Sequence, residues 1–262
     1  MKLSEGYTKL KQRAEMIAEI AKSFEILSPK KENVLPYAYP CDNYVENVLS
    51  NVIVRKTLQN CVDVKCKNQI ENIKRLGQLV TESKFPCLFN ILQYCCTELN
   101  VEELPEVYVT SKLFGINALS IGDDNNPIII ISRKAVATLS EGELKFMIGH
   151  EIGHILQKNL ECHALKGLLD NINDRMEILA PFILDMIEVP LNQWYRCAEY
   201  TADRAGLICC KDIELVGKLF NRFGKNYDHI SAIDSYLELC ISHPLLANRY
   251  KELCSYYEKC IK

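Results

Sequence analysis

The chain has little of several features that mark other classes of protein. Among its 262 residues no stretch is apolar over the roughly 18 positions that a membrane-spanning helix needs, so no such helix is predicted. Lysine and arginine total 31 against 34 aspartates and glutamates, for a net charge of −3, and there is no basic run. A surface for the phosphate backbone of nucleic acid is therefore not predicted.

Cysteine is plentiful, but its spacing excludes two common uses. The thirteen cysteines are an odd number, include the adjacent pairs Cys95-Cys96 and Cys209-Cys210, and contain no C-x-x-C. Neither a disulfide framework nor a zinc ribbon is indicated. The first residues alternate charged and apolar positions and lack the apolar core of a secretory signal. We therefore expect a soluble protein in the reducing cytoplasm.

The most informative feature that is present is an apolar helix with metal-binding side chains. Residues 146–156 read FMIGHEIGHIL and contain His150, Glu151 and His154. Since side chains four apart lie one above the other on a helix, both imidazoles can bind one ion, and the carboxylate lies beside the remaining coordination position. The pattern predicts a zinc site that activates water, with Glu151 as general base.

Two further features describe this helix. Ser140-Glu-Gly-Glu143 has the S-x-x-E form of a capping box, which predicts that the helix begins there. Gly149 and Gly153, four apart, each cost a helix about 1 kcal/mol relative to alanine. Their presence predicts that a second helix packs closely on that surface.

A tetrahedral catalytic zinc site needs a third protein ligand. A histidine six residues after the second one is excluded, because position 160 is leucine. Residues 197–206 (CAEYTADRAG) place Glu199 and Asp203 four apart on one helical face among small residues. Glu199 would complete the ligands of one zinc ion per chain, and Asp203 would accept the ring N–H of a ligating histidine. Taken alone, an E-x-x-x-D spacing is better explained as the solvated face of a helix. Together with the upstream H-E-x-x-H motif, it is better explained as part of a metal site.

Together these motifs resemble the gluzincin metallopeptidases that include the heat-shock protease HtpX and the CAAX prenyl endopeptidases. Four elements follow in that family's order: N-A-x-x-x-G from Asn117, HEIGH, E-Y-T-A-D-x-A-G, and H-P-x-x-x-x-R from His243 to Arg249. The resemblance covers roughly residues 100–250. It implies zinc-dependent proteolysis by the ligands, base and orienting carboxylate named above. Many relatives are embedded in membranes by hydrophobic helices, and this sequence departs from them there.

The other residues of these elements leave alternatives open. The segment from Asn117 to residue 132 reads as a β-hairpin, which is either an ordinary core element or an edge that holds an extended peptide. In the second case Asn117 and Ala118 are the candidates for contacting the peptide backbone. His243 either takes part in catalysis or caps a helix start. Arg249 is better explained as a buried ion-pair partner of a carboxylate such as Asp203 than as a substrate contact.

The sequence as a whole predicts a mainly helical α+β protein with a zincin-like catalytic domain and a small sheet. Residues 104–156 resemble the core segment of the gluzincin family, and this resemblance implies strands at residues 106–110 and 128–132. Apolar spacing typical of helices occurs at residues 5–27, 43–74 and 86–99, with prolines between the first two. We expect a helical N-terminal region over 1–100, which gates the cleft, recognises a partner or takes the place of membrane helices, and a metallopeptidase domain over 101–262.

The function that these features favour is zinc-dependent hydrolysis of peptide bonds in a protein or peptide substrate. The leading alternative is a non-proteolytic metal-binding regulatory or adaptor protein that holds a partner peptide in the same cleft. Glu151 weighs against that alternative, because binding alone needs no base. Accidental histidines in a helical interaction protein are disfavoured by four motifs in order. Neither the substrate nor the oligomeric state follows from the sequence.

Overall fold

The computed structural model describes residues 35–40, 70–122, 126–157, 160, 180–223 and 245–261, except for the side chains of 180–193. The elements follow in the order β1 (Gln78–Leu79), α1 (Pro86–Glu98), β2 (Glu106–Thr110), β3 (Ala118–Ile121), β4 (Ile128–Ser132), α2 (Arg133–Thr138), α3 (Glu141–Leu156), α4 (Ala180–Cys210), α5 (Ile213–Phe223) and α6 (Leu246–Cys260). The predicted α+β, mainly helical class is confirmed.

The strands form one mixed sheet in the order β1-β2-β4-β3. β2 and β4 are parallel, whereas β1 pairs with β2 and β3 pairs with β4 in antiparallel fashion. The strands predicted at residues 106–110 and 128–132 are confirmed with the same bounds. Every residue of β4 is buried, which agrees with its run of isoleucines. Within the described residues, β3 is an edge strand and forms the predicted hairpin with β4.

Helix α3 carries the HEIGH motif and begins at its predicted capping box. The Ser140 backbone N–H donates to Glu143 Oε2 at 2.7 Å, and the Glu143 N–H donates to Ser140 Oγ at 3.4 Å. Arg222 of α5 donates to Glu143 Oε1 at 2.6 Å. Burial alone would raise the pKa of Glu143, but the hydrogen bonds from Ser140 and Arg222 outweigh it and lower the pKa. The start of α3 is thus tied to α5.

Small residues allow α3 and α4 to approach closely. A Cβ atom added at Gly153 would lie 2.9 Å from both Ala202 Cα and Ala205 Cβ. One added at Gly149 would lie 2.7 Å from Cys209 Sγ. These distances are shorter than van der Waals contact, so the helices meet at this distance only because glycine has no side chain. The prediction of a closely packed second helix is confirmed.

Helix α4 runs without a break from Ala180 to Cys210. In the part of the chain that the structure describes, no helix combines the length and the hydropathy that a membrane span requires.

One of the predicted N-terminal helices lies in the described residues. It is confirmed as α1, with proline at its first helical position. Leu92 and Cys95 of α1 are buried in the same apolar core as Ile148 of α3. The helices predicted at 5–27 and over most of 43–74 lie outside the described residues. A domain division at residue 100 stays a prediction.

Replacing Gly153 by alanine tests the close approach of α3 and α4. Alanine favours a helix over glycine by about 1 kcal/mol, but its methyl group would overlap the backbone of Ala202. We therefore expect Gly153→Ala to lower the free energy of unfolding by about 1–3 kcal/mol, as for other overpacked cores. The measurement is urea denaturation with a chelator present, so that metal binding does not contribute to stability.

Gly142→Ala in the first turn of α3 is the matched control. Its methyl group would meet only Leu215 Cδ1, the movable end of a side chain. This control should be neutral or stabilising, because the helix propensity gain is not opposed by backbone. If Gly153→Ala and Gly142→Ala had equal free energies of unfolding, the close packing of α3 on α4 at Gly153 would be contradicted.

Candidate metal centre

His150, His154 and Glu199 come together where α3 faces α4. The Nε2 atoms of the two histidines are 3.1 Å apart. Glu199 Oε1 lies 3.4 Å from His154 Nε2, and Glu199 Oε2 lies 3.8 Å from His150 Nε2. In the described part of the chain, no other group of three or more histidine, cysteine or acidic side chains gathers in this way.

The three donors fit a zinc ion. Zinc–ligand bonds of about 2.0–2.1 Å at tetrahedral angles separate the ligand atoms by about 3.3 Å. The observed separations of 3.1, 3.4 and 3.8 Å lie around this value. Two imidazoles and one carboxylate are also a donor set of catalytic zinc sites, whereas magnesium and calcium prefer oxygen ligands throughout.

A carboxylate and a guanidinium contact two of these three side chains, His150 and Glu199. Asp203 is fully buried, and its Oδ1 lies 3.1 Å from His150 Nδ1. Because a carboxylate accepts hydrogen bonds, this contact places the ring proton on Nδ1 and leaves Nε2 free for a metal. Arg249 of α6 donates two hydrogen bonds to Asp203, at 2.7 and 2.5 Å. Its third nitrogen lies 3.0 Å from Glu199 Oε2.

The buried carboxylates of this cluster affect the pKa of His150. Burial opposes the imidazolium, but the hydrogen bond and charge of Asp203, with the charge of Glu199, outweigh it and raise the pKa of His150. Burial would also raise the pKa of Asp203, yet the charge and hydrogen bonds of Arg249 keep that pKa below its ordinary value. Two buried carboxylates thus share one guanidinium, an environment that suits a bound cation.

A cavity of about 370 Å³ opens over the three donors. Glu151, which is 6% exposed, lines the cavity beside His150. Asn117 and Ala118, at the start of β3, line it as well. The fold therefore brings the predicted base and both predicted substrate-binding residues to the same space as the metal-binding side chains.

The apolar wall of the cavity was not predicted. It consists of apolar side chains from α3, α5 and α6, namely Phe146, Met147, Leu219, Phe220, Phe223 and Leu246. Phe220 is buried and packs edge-on against Phe146 with the ring centroids 5.7 Å apart, whereas Phe223 is 41% exposed. Helical spacing of apolar residues over 213–223 is present in the sequence. That signal predicts an amphipathic helix but not what the helix faces.

The H-P-x-x-x-x-R element is described only in part. His243 lies outside the described residues. Arg249 lines the cavity, with its guanidinium carbon 5.3 Å from the Phe220 ring centroid. Within the described residues its guanidinium forms ion pairs with Asp203 and Glu199, so its position is that of an ion-pair partner.

Comparisons with known proteins point to one family. The model of "Peptidase family M48" matches residues 82–256, about two thirds of the chain. The chloroplastic plastoglobule-localized metallopeptidase 48 of Arabidopsis thaliana is 27% identical over 186 residues, which cover 67% of this chain and 52% of that protein. A protease HtpX homolog of Helicobacter pylori is 22% identical over 255 residues, covering 82% of this chain and 81% of its own length.

A second protease HtpX homolog, from Dictyoglomus turgidum, is 22% identical over 206 residues, or 67% of this chain and 66% of that one. The chain spans about half the length of the plastoglobule protein. No solved structure matches the chain. The family match extends from the start of α1 into α6 and includes every described residue of the metal centre. The chain therefore belongs to peptidase family M48, and its resemblance to gluzincin metallopeptidases such as HtpX is confirmed.

Proposed function

We propose that the protein is a zinc-dependent endopeptidase. The observation that carries this proposal is the presence of His150, Glu151, His154 and Glu199 on the wall of one cavity. A zinc ion held by His150, His154 and Glu199 would act as a Lewis acid, which lowers the pKa of bound water to about 7 and polarises a carbonyl group. Membership of a peptidase family supports hydrolysis of peptide bonds as the reaction.

In the proposed mechanism Glu151 moves the proton. Its carboxylate takes a proton from the attacking water and gives it to the nitrogen of the leaving amine when the C–N bond breaks. Asp203 holds His150 in the tautomer that presents Nε2. Arg249 holds both Asp203 and Glu199 in place, which keeps the ligand carboxylate oriented.

The edge strand β3 is the proposed seat for the substrate backbone. The Ser132 N–H donates to the Asn117 carbonyl at 2.9 Å, which makes these two residues a hydrogen-bonded pair of the antiparallel hairpin. Hydrogen-bonded and non-hydrogen-bonded pairs alternate along such strands. The N–H and C=O groups of Ala118 and Ser120 therefore point away from β4. An extended peptide can pair with them by strand addition, next to the metal centre.

The apolar wall gives the proposed enzyme a preference among peptides. A cavity lined by Leu219, Phe220 and Phe223 as well as by the metal-binding side chains can bury one large apolar side chain beside the scissile bond. The difference in transition-state binding between such a side chain and a small or charged one is about 1–3 kcal/mol. We propose that cleavage occurs next to aromatic or large aliphatic residues.

Three further parts of the proposal start from the sequence. We propose that His243 acts with Glu151 in catalysis by polarising the scissile carbonyl. We also propose a substrate contact for the side chain of Asn117. A cytoplasmic location stays a prediction that rests on the cysteine usage.

Substitution of Glu151 separates metal binding from catalysis. We expect Glu151→Gln to retain one zinc per chain but to lower the rate of casein cleavage by about 10²–10⁴-fold, because the general base is lost. His154→Ala should lose the zinc, because a ligand is removed. Zinc content by elemental analysis and cleavage of unstructured casein are the two measurements. A wild-type protein that holds zinc but cleaves neither casein nor a broad peptide library would support the adaptor alternative.

A proline at position 120 tests the proposed backbone pairing. Ser120→Pro removes an N–H that points to the free edge, so the hairpin with β4 should survive. We expect kcat/KM for extended peptides to fall by about tenfold, the equivalent of 1.4 kcal/mol for one lost hydrogen bond, while zinc content is unchanged. Ser120→Ala, which keeps the N–H, should cleave like the wild type. Equal kcat/KM for the two variants would exclude pairing at this position.

Truncation of Phe223 tests the role of the apolar wall. We expect Phe223→Ala to reduce the preference for a large apolar residue beside the scissile bond by about tenfold, within the range for lost apolar contacts. The measurement is kcat/KM on paired peptides that differ only at that residue. Phe114→Ala is the matched control, because Phe114 is 96% exposed and does not line the cavity. An unchanged preference in Phe223→Ala would show that this side chain does not bind substrate.

A further inference from the structure

Residues 35–40, which we call the clasp, lie against helix α4 far from their own place in the sequence. The Tyr39 N–H donates to Thr201 Oγ1 at 3.0 Å. Arg204 Nη1 donates to the carbonyls of Tyr37 at 3.2 Å and Ala38 at 2.9 Å. Tyr37 is 7% exposed and belongs to the apolar core. The clasp is therefore bound by backbone hydrogen bonds as well as by burial.

Arg204 joins the clasp to α6 as well as to α4. Its guanidinium carbon lies 4.9 Å from the ring centroid of Tyr39 and 4.7 Å from that of Tyr256 on α6. Both distances are within the range of cation–π contacts. The Tyr39 ring also contacts the ring of Tyr200, with centroids 4.7 Å apart. One side chain thus connects three segments of the chain.

Arg204 is directly next to the metal centre in the sequence but faces another direction. It follows Asp203 on α4, so the two side chains point about 100° apart around the helix. On α6, Arg249 and Tyr256 are seven residues apart and so share one face of the helix. Helix α6 therefore contacts α4 at two levels, through Arg249 on the metal-site carboxylates and through Tyr256 on Arg204.

The two levels depend on each other because α6 is one rigid helix. The ion pair at the metal centre is buried, and a buried ion pair is favourable only when its geometry is well matched. A small shift of α6 away from α4 would weaken the hydrogen bonds from Arg249 to Asp203 and its contact with Glu199. The contacts of Arg204 with the clasp and Tyr256 oppose such a shift.

We propose that the clasp is a positioning element of the metal centre: by binding Arg204 it holds α6 on α4, and so keeps Arg249 on Asp203 and Glu199. This inference rests on the proposed metal site. It means that the clasp contributes to the affinity for the metal. Residues that orient zinc ligands through one intermediate contact affect zinc affinity by about 10–100-fold. The clasp acts one contact further out, so an effect of about tenfold is expected.

The experiment measures zinc affinity of the full-length protein by competition with a zinc-binding dye. Arg204→Met removes the positive charge of the guanidinium and both hydrogen bonds that Arg204 donates to the clasp. Tyr39→Leu removes one ring but leaves the contact of Arg204 with Tyr256. We expect both variants to raise the Kd for zinc, by about tenfold for Arg204→Met and less for Tyr39→Leu.

Val107→Ala is the control for a general loss of stability, because Val107 is a buried residue of β2. It should lower the Tm at least as much as Tyr39→Leu does but leave the Kd for zinc within twofold of wild type. If the clasp variants and Val107→Ala have equal affinities, the clasp is only structural and the inference is wrong. If Arg204→Met does not fold, Tyr39→Leu decides in the same comparison. A wild-type protein that binds no zinc would overturn the proposed function together with this inference.

Discussion

The site depends on the short distance between α3 and α4. A glutamate side chain on one helix reaches the imidazoles of another only when the helix axes lie close together, and packed helices are ordinarily 8–10 Å apart depending on the side chains between them. Here the side chain at the contact is absent, since Gly153 faces the backbone of Ala202. On α4, positions 199, 202, 203 and 206 lie on one face of the helix. The small residues that allow the close approach and the carboxylates that bind or orient the metal ligands therefore lie on the same face of α4.

The site also requires compensation of its buried negative charges. Glu199 and Asp203 are 3% and 0% exposed, and bringing two carboxylates out of water costs several kcal/mol each unless partners compensate. Arg249 compensates in part, and its planar group fits the two oxygens of Asp203. Such a cluster is a weak source of stability, because removal of one partner leaves a buried charge. Its consequence is fixed geometry, which a metal site needs more than stability.

Much of the site was predictable because its signals are local. The capping box, the spacing of the two histidines, the paired glycines and the E-x-x-x-D spacing are each read within one helix. The strands at 106–110 and 128–132 were implied by the family resemblance. The apolar wall was not predictable, since the pattern of α5 shows an apolar face but not its partner. The clasp was also missed. Residues 35–40 read as a proline-containing separator between helices, and their contacts with Thr201 and Arg204 join positions more than 160 residues apart.

Chemistry and selectivity are placed on different parts of this fold. The metal-binding side chains lie on α3 and α4, where a change of size would alter the helix contact. Half of the residues of the apolar wall lie on α5. Replacing them would disturb the metal centre to different extents. Phe220 is buried beneath the guanidinium of Arg249, so its replacement would disturb the ion pair. Phe223, at the last position of α5, is 41% exposed and lines the cavity. Its replacement would alter the shape of the cavity while leaving the metal-binding residues in place, which makes the end of α5 the part of the site best suited to vary with substrate.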